Sequence, residues 1–495
     1  PEGDTQLPFF QRHRLVMDVF NGGNQSWTLR LLDRASGEEQ WRQTGLPPAH
    51  YINNSYGNMY VAGLSHTSSP RFAYAAGHVL VLHLNHMVYA FNLAEHRELW
   101  KYSLYGKENG LASPSQGGLG LDENDSRIVS VRYPDNHLEK LGGVGLVSAS
   151  YVLLLTREGP REVLVALDPT RGNGSTASVL WTKSDVPMRS QLFGDDEHVY
   201  IVEPNGENAP ATIRALRAQD GISVPVPDFG RLYPHRIHTD GRRLLLQEDE
   251  PQGGKVMRLY DVQTGQDVWR KKFAAGSVVI QSQEPELTGV IEKDNSVTLM
   301  NARTGSMLFR SLVFPEHAAG LDSAVLLGDR EHYYLALIRR PESGLSWFPG
   351  TASGIRSLRL NGPLYALNRD TGKIEWVCDF LPHQMLLLEQ VKDLPVLLFV
   401  ANYSKSARGY ERSMAKVTAV DKRTGKLVFD KEFTPHTQFH TLRIDPQAGL
   451  IDLVRQDLKI QFRIDDGQTE KSASAAGVEP SLPAGVPARP ILIRR

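Results

Sequence analysis

Cysteine is almost missing from this 495-residue chain: Cys378 stands alone. A single thiol excludes an intrachain disulfide, a cysteine-based zinc site and a c-type haem attachment motif. Charge of one sign is missing as well. Lys and Arg number 55 against 56 Asp and Glu, a net charge of -1, so no global field draws the chain to nucleic acid or to an anionic membrane. No run approaches 18 apolar residues, and the longest, such as 394–401, have strand length; no transmembrane segment is expected. Helical periodicity, H-E-x-x-H and paired-His spacings are absent too. What remains, 41% hydrophobic and 22% charged with 43 Gly and 29 Pro, is globular, not collagenous, disordered or coiled-coil.

What the chain has in quantity is one short pattern. Asp or Asn, then Gly four residues on, then an aromatic four further recurs at Asp33-Gly37-Trp41, Asp261-Gly265-Trp269, Asn301-Gly305-Phe309, Asn368-Gly372-Trp376 and Asp421-Gly425-Phe429. Two copies depart from it: Asn92 to Trp100 carries His96 at the Gly position, and Arg217 to Gly221 lacks the aromatic. An eighth copy, Asp168 to Trp181, holds an insertion, and a weak ninth trace ends at Gly467.

The pattern has a physical reading as a β-hairpin. Each Asp or Asn follows an alternating stretch such as 28–32, 87–91, 256–260 or 416–420, and period-2 alternation marks a half-buried strand. The carboxylate or amide accepts hydrogen bonds from turn amides, and Gly takes a positive φ without a Cβ clash. The aromatic falls in the returning strand, where it can wedge between neighbouring sheets. Many short strands with regular turns imply an all-β fold, and four strands per repeat of about 40–75 residues imply propeller blades.

The runs ALNRDTGKIEW, LYDVQTGQDVW and AVDKRTGKLVF resemble the repeat of pyrroloquinoline-quinone (PQQ)-type propellers, the superfamily of the quinoprotein alcohol dehydrogenases and the BamB-type assembly scaffold. The resemblance covers residues 14–467. It implies an eight-bladed β-propeller of four-stranded antiparallel blades, with seven blades the runner-up. The strands at 441–445, 450–454 and 458–464 could pair near residues 7–20 to close a ring. It also implies export to the periplasm or cell surface of a bacterium. The motif residues build turns rather than a site, so the resemblance does not assign chemistry.

Enzymes of this type would bring PQQ, a Ca²⁺ held by carboxylate and amide oxygens, a catalytic Asp and usually a vicinal disulfide. A lone Cys378, placed just after Trp376, reads instead as a small apolar group at a sheet interface. The acidic clusters at 122–125, 195–197 and 248–250 read as solvated turns without EF-hand spacing. His83 and His86 read as structural, and the Gly-rich run 117–120 lacks the Lys-Ser/Thr of a phosphate loop. The sequons at Asn53, Asn124, Asn173 and Asn402 fit loops. No catalytic residue, metal or cofactor is expected.

Three long insertions, 45–70, 105–145 and 339–361, are the candidate binding loops. They carry Tyr51, Tyr56 and Tyr60, and Arg339, Arg340, Trp347, Phe348 and Arg356, residue types that anchor protein interfaces. A protein partner is expected, with the chain a non-catalytic scaffold. A PQQ-dependent dehydrogenase and a ligand- or carbohydrate-sensing ectodomain are the alternatives. Residues 1–13 are not a signal peptide and read as an arm. Residues 468–495, rich in Ala, Pro, Ser and Gly, read as a flexible tail. The chain reads as a processed product or part of a longer one.

Overall fold

A computed structural model describes residues 13–46, 71–103, 151–339, 357–465, 479–480 and 491–494, less short gaps at 21–25, 34–35, 76–77, 85–86, 159–160, 173–175, 188–189, 204, 207–208, 252, 283, 380–383, 389–393, 408–409, 434–440, 446–449 and 456–457. Those residues are all-β. Helix among them is confined to a 3-10 turn at Tyr233–His235 and one turn at Pro315–Ala318. None is long and apolar enough to cross a membrane.

The chain divides into two compact units, residues 1–246 with 260–268, and residues 247–259 with 269–495. The first contains antiparallel sheets over 13–46, 71–103, 152–183 and 191–224, of three, four, three and four strands. A further sheet takes Arg236–Asp240, Arg243–Asp249, Lys255–Asp261 and Gln266–Phe273 in chain order. In the second unit, two four-stranded meanders over 278–378 merge into one eight-stranded sheet. Val278–Ser282 and Leu321–Gly328 join them in parallel, with Ile280 opposite Ala324. The next sheet takes Ser357–Leu360, Gln384–Leu387, Val396–Ala407, Tyr410–Asp421 and Leu427–Phe433. The last holds Thr441–Asp445, Leu450–Arg455 and Leu458–Asp465, with Glu479–Pro480 and Ile491–Arg494 paired to Leu458–Asp465. Two pieces of the stretch read as a flexible tail are thus strands.

Simple alternation holds along the outer strand Gln266–Phe273, which alternates exposed and half-buried residues along its length. Inner strands depart from it: Leu364–Leu367 and Val396–Val400 are fully buried. Such strands are covered on both faces, which removes the polar alternate positions.

The turns have the expected construction. Gly265, Gly305, Gly372 and Gly425 donate their N–H to the carbonyls of Asp261, Asn301, Asn368 and Asp421 at 2.8–2.9 Å, with φ of 69–71° at the first three and 68° at Gly425. Asp261 Oδ1 accepts from the amides of Gln263 and Thr264 at 3.0 and 3.1 Å. Each turn is also the seat for the aromatic of the preceding sheet. The Nε1–H of Trp100, Trp181, Trp269 and Trp376 donates to the carbonyls of Pro169, Ala218, Ala302 and Lys422, at 3.1, 2.6, 2.9 and 2.6 Å. Every acceptor is the residue after the turn's first position, at 168, 217, 301 and 421.

The turn glycine lies under the ring. A Cβ on Gly221, Gly305 or Gly425 would meet Trp181, Trp269 or Trp376 at 2.7–2.8 Å, and one on Gly372 would meet Phe309 at 2.2 Å. The irregular copies obey the same geometry. Trp41 stacks 6.5 Å from His96, which itself has φ 55°. Where the 217–221 copy lacks its aromatic, Pro227 covers Gly265 instead. Glycine is therefore needed twice over, for its φ and for the absence of a side chain.

Candidate functional site

The described residues concentrate buried charge at one place, the turn between Leu321–Gly328 and His332–Arg339. Asp329 Oδ1 accepts from the amides of Glu331 and His332 at 2.9 and 2.8 Å. Its Oδ2 accepts from the Tyr334 hydroxyl at 2.7 Å and faces Lys422 Nζ at 3.2 Å. Lys422 and Asp329 have side chains only 8% and 10% exposed. His332 is buried and sits 2.8 Å through Nε2 from Glu375, whose other oxygen accepts from Asn368 Nδ2 at 2.9 Å. Arg369 grips both Glu284 oxygens at 2.9 and 2.7 Å, donates to the Asp329 carbonyl at 2.7 Å, and lies 4.6 Å over the Tyr333 ring.

Opposing effects set the protonation of this cluster. Burial pushes the Asp329 carboxyl up, but Lys422, the Tyr334 hydroxyl and the two amides outweigh it and hold the group below its ordinary value. Burial and the neighbouring Asp329 push Tyr334 far up, so its hydroxyl stays protonated and donates to that carboxylate. Hydrogen bonds from Asn368 and His332 hold Glu375 down, against the upward pull of burial. An ionised carboxylate with buried cationic and phenolic partners is a satisfied ion pair. These named groups are spent on one another, and the arrangement joins a turn to two neighbouring strands and the Lys422 turn.

The same turn occurs in the first unit. Gly194-Asp-Asp-Glu-His-Val-Tyr200 and Gly328-Asp-Arg-Glu-His-Tyr-Tyr334 share the pattern G-D-x-E-H-x-Y. Asp195 Oδ1 likewise accepts from the amides of Glu197 and His198, at 2.9 and 2.8 Å. The tyrosine is used differently: the Tyr200 hydroxyl donates to Gln263 Oε1 at 3.1 Å, and Tyr151 donates to the Asp195 carbonyl at 2.8 Å. Asp196 and Glu197 are exposed, as a solvated turn at 195–197 requires; the recurrence of His and Tyr after it was the signal that Asp195 caps it.

The other acidic cluster within the described residues is also paired. Glu248 faces Arg258 at 2.9 Å, Asp249 faces Lys255 at 2.8 Å and Glu250 faces Lys272 at 2.5 Å. Among the described residues no group of three or more His, Cys, Asp and Glu could hold a metal ion. Cys378 is free and buried. A single free cysteine cannot form the vicinal disulfide that the resemblance implies. Asn402, a sequon compatible with a loop, lies buried within Val396–Ala407, where a glycan has no access.

Of the residues expected to touch a partner, Tyr51, Tyr56, Tyr60, Arg340, Trp347, Phe348 and Arg356 lie outside the described residues, as do 104–150, His86, Asn53, Asn124 and Asn173. Arg339 is described and engaged internally. Its Nη2 donates to the Glu316 carbonyl at 2.6 Å, and its own carbonyl accepts from Asn361 Nδ2 at 3.1 Å.

A surface that sequence reasoning missed is the outermost strand of the first meander in the second unit. Met307 and Leu312 are 59% and 64% exposed, and Leu308 and Phe314 are also exposed. Phe309 and Val313 are buried. Leu427 and Val428 repeat this exposure beside buried Phe429, and Val179 and Val268 lie exposed beside Trp181 and Trp269. The signal was present in the two residues before each aromatic, which are often apolar where an outer strand could be polar.

No family model matches the chain, and no curated protein matches it. Among solved structures it is similar to BamB from Moraxella catarrhalis at 11% identity, over 83% of this chain and 98% of that one, with a TM-score of 0.29. It is similar to the dihydro-heme d1 dehydrogenase NirN in complex with DHE at 10% identity, over 86% and 74%, with a TM-score of 0.33. The quinohemoprotein alcohol dehydrogenase from Comamonas testosteroni gives 11% identity, 78% and 69%, and a TM-score of 0.32. Scores this low carry no argument about role, and the fold described above rests on strand pairing.

Proposed function

We propose that this chain is an eight-bladed, PQQ-like β-propeller that works without catalysis as a protein-binding scaffold in an exported bacterial protein. The observation that carries the reading is the row of exposed apolar residues on outer strands, chiefly Met307, Leu308, Leu312 and Phe314. Exposed apolar side chains gathered on one outer strand and the residues after it are candidates for recognition by another protein. The wedge-and-turn geometry supports the blade reading, since Trp181, Trp269 and Trp376 each bond a carbonyl of the next turn and cover its glycine. The loops that carry Tyr51, Tyr56, Tyr60, Trp347 and Phe348 are proposed as further partner contacts.

Two measurements test the proposal. Calorimetric titration with PQQ and Ca²⁺ is expected to show no stoichiometric binding; tight binding at one equivalent overturns the non-catalytic reading. Photo-crosslinking from position 312 in cells is expected to trap a discrete protein, and Leu308→Lys is expected to abolish the adduct while unfolding is unchanged. An adduct of equal yield in Leu308→Lys rejects the apolar edge as the contact.

A further inference from the structure

The outer edge of Leu458–Asp465 is the place where two distant segments of the chain come to rest. Glu479–Pro480 pairs antiparallel with its start, Leu458 opposite Pro480 and Lys459 opposite Glu479. Ile491–Arg494 pairs parallel with its end, placing Phe462, Arg463, Ile464 and Asp465 opposite Ile491, Leu492, Ile493 and Arg494. Residues 466–490 connect this strand to the second segment and are dominated by Ala, Pro, Gly and Ser.

Two features make Ile491–Arg494 an added occupant rather than a regular member of the sheet. It is four residues long and parallel, where the other ladders of this sheet are antiparallel. Its register also sets Ile491 opposite Phe462, a core residue packed with Ile451, Leu453 and Phe429, and Arg494 opposite Asp465.

We propose that the edge of Leu458–Asp465 is a strand-addition site, and that Ile491–Arg494 is its built-in occupant. The segment covers an edge that would otherwise offer open N–H and C=O groups to any strand. Main-chain pairing supplies the affinity and the alternate side chains the selectivity, as in other β-augmentation sites. Because the occupant belongs to the same chain, a free segment must compete with an intramolecular one. The competitor that fits is therefore an extended protein segment of branched apolar residues followed by a basic one, entering parallel to Leu458–Asp465. This inference rests on strand pairing alone and stands whether or not the chain is a scaffold.

Hydrogen exchange of the full chain tests it. Alternate residues of a parallel strand bond its neighbour, so Leu492→Pro with Ile493→Pro removes a donor in either set. Exchange at 458–465 is expected to speed up at least about tenfold, with 278–301 unchanged as the folding control. A synthetic peptide of residues 488–495, added at millimolar concentration, is expected to restore protection, and the same peptide carrying both prolines is not. Arg494→Glu tests the register without touching the backbone: exchange speeds up about threefold, and Asp465→Arg with Arg494→Asp reverses the effect. Unchanged exchange at 458–465 in the proline variant overturns the proposal, as does equal rescue by the two peptides.

Discussion

At the scale of single residues, the turn glycines are the most constrained positions. Gly372 combines φ 69° with a Cβ position 2.2 Å from the Phe309 ring. Gly372→Ala is therefore expected to lower stability by about 2–3 kcal/mol, from strain and overpacking together, as read by denaturant unfolding. Gly320, with φ 67° and open space around its Cβ, is the control: Gly320→Ala carries the backbone penalty alone and is expected to cost about 1 kcal/mol. The indoles give a second test. Trp376→Phe keeps a ring on Gly425 but leaves the Lys422 carbonyl without its 2.6 Å donor, an expected loss of about 1–3 kcal/mol. The sequence itself uses Phe at 309 and 429, so the ring is required and the N–H is an addition.

At the scale of elements, the turn at 328–334 and the turn at 421–425 are joined by Asp329 and Lys422. The folded-state pKa of Asp329 is depressed. Its contribution to stability is therefore complete above the unfolded carboxylate value near 4 and is lost as pH falls through the lower folded value. Asp329→Asn is expected to remove the part of the acid-side slope that this group contributes below about pH 4, and to lower stability at pH 7 by about 3 kcal/mol through the uncompensated Lys422. Unfolding measured as a function of pH in both proteins checks both outcomes. Outer strands behave differently: Leu312→Lys removes no buried contact and is expected to leave stability within about 0.5 kcal/mol.

The same scale separates what the sequence disclosed from what it did not. The hairpin turns were legible because Asp or Asn, Gly and the aromatic each act within nine residues of chain. The partner of each aromatic was not, because the Gly it covers lies in the next repeat, as Trp376 does over Gly425. Strand neighbours that skip in sequence were hidden for the same reason. Period-2 alternation identifies a strand without naming who pairs with it, so nothing local announced that Ser357–Leu360 leaves Leu364–Asn368 and joins Gln384–Leu387. The candidate site was hardly legible. Its acidic residues, Asp329, Glu284 and Glu375, form no cluster in the sequence, and the pairing of Asp329 with Lys422 and Tyr334 depends on burial that only the assembled sheets create.

At the scale of the whole molecule, the chain is a succession of short antiparallel sheets in two compact units, with its aromatic residues used as fasteners between consecutive sheets. Most of the strong polar chemistry within the described residues is internal, and the exposed apolar side chains lie on outer strands.

The fasteners share a direction. Trp100, Trp181, Trp269, Phe309 and Trp376 all rest on a turn that comes later in the chain. During synthesis, each ring emerges before its resting place exists, and a growing chain carries an uncovered aromatic wherever its leading repeat has one. Biogenesis of this protein thus has a built-in lag of one repeat, and a pause after any aromatic strand prolongs the exposure of that ring to whatever chaperone is near.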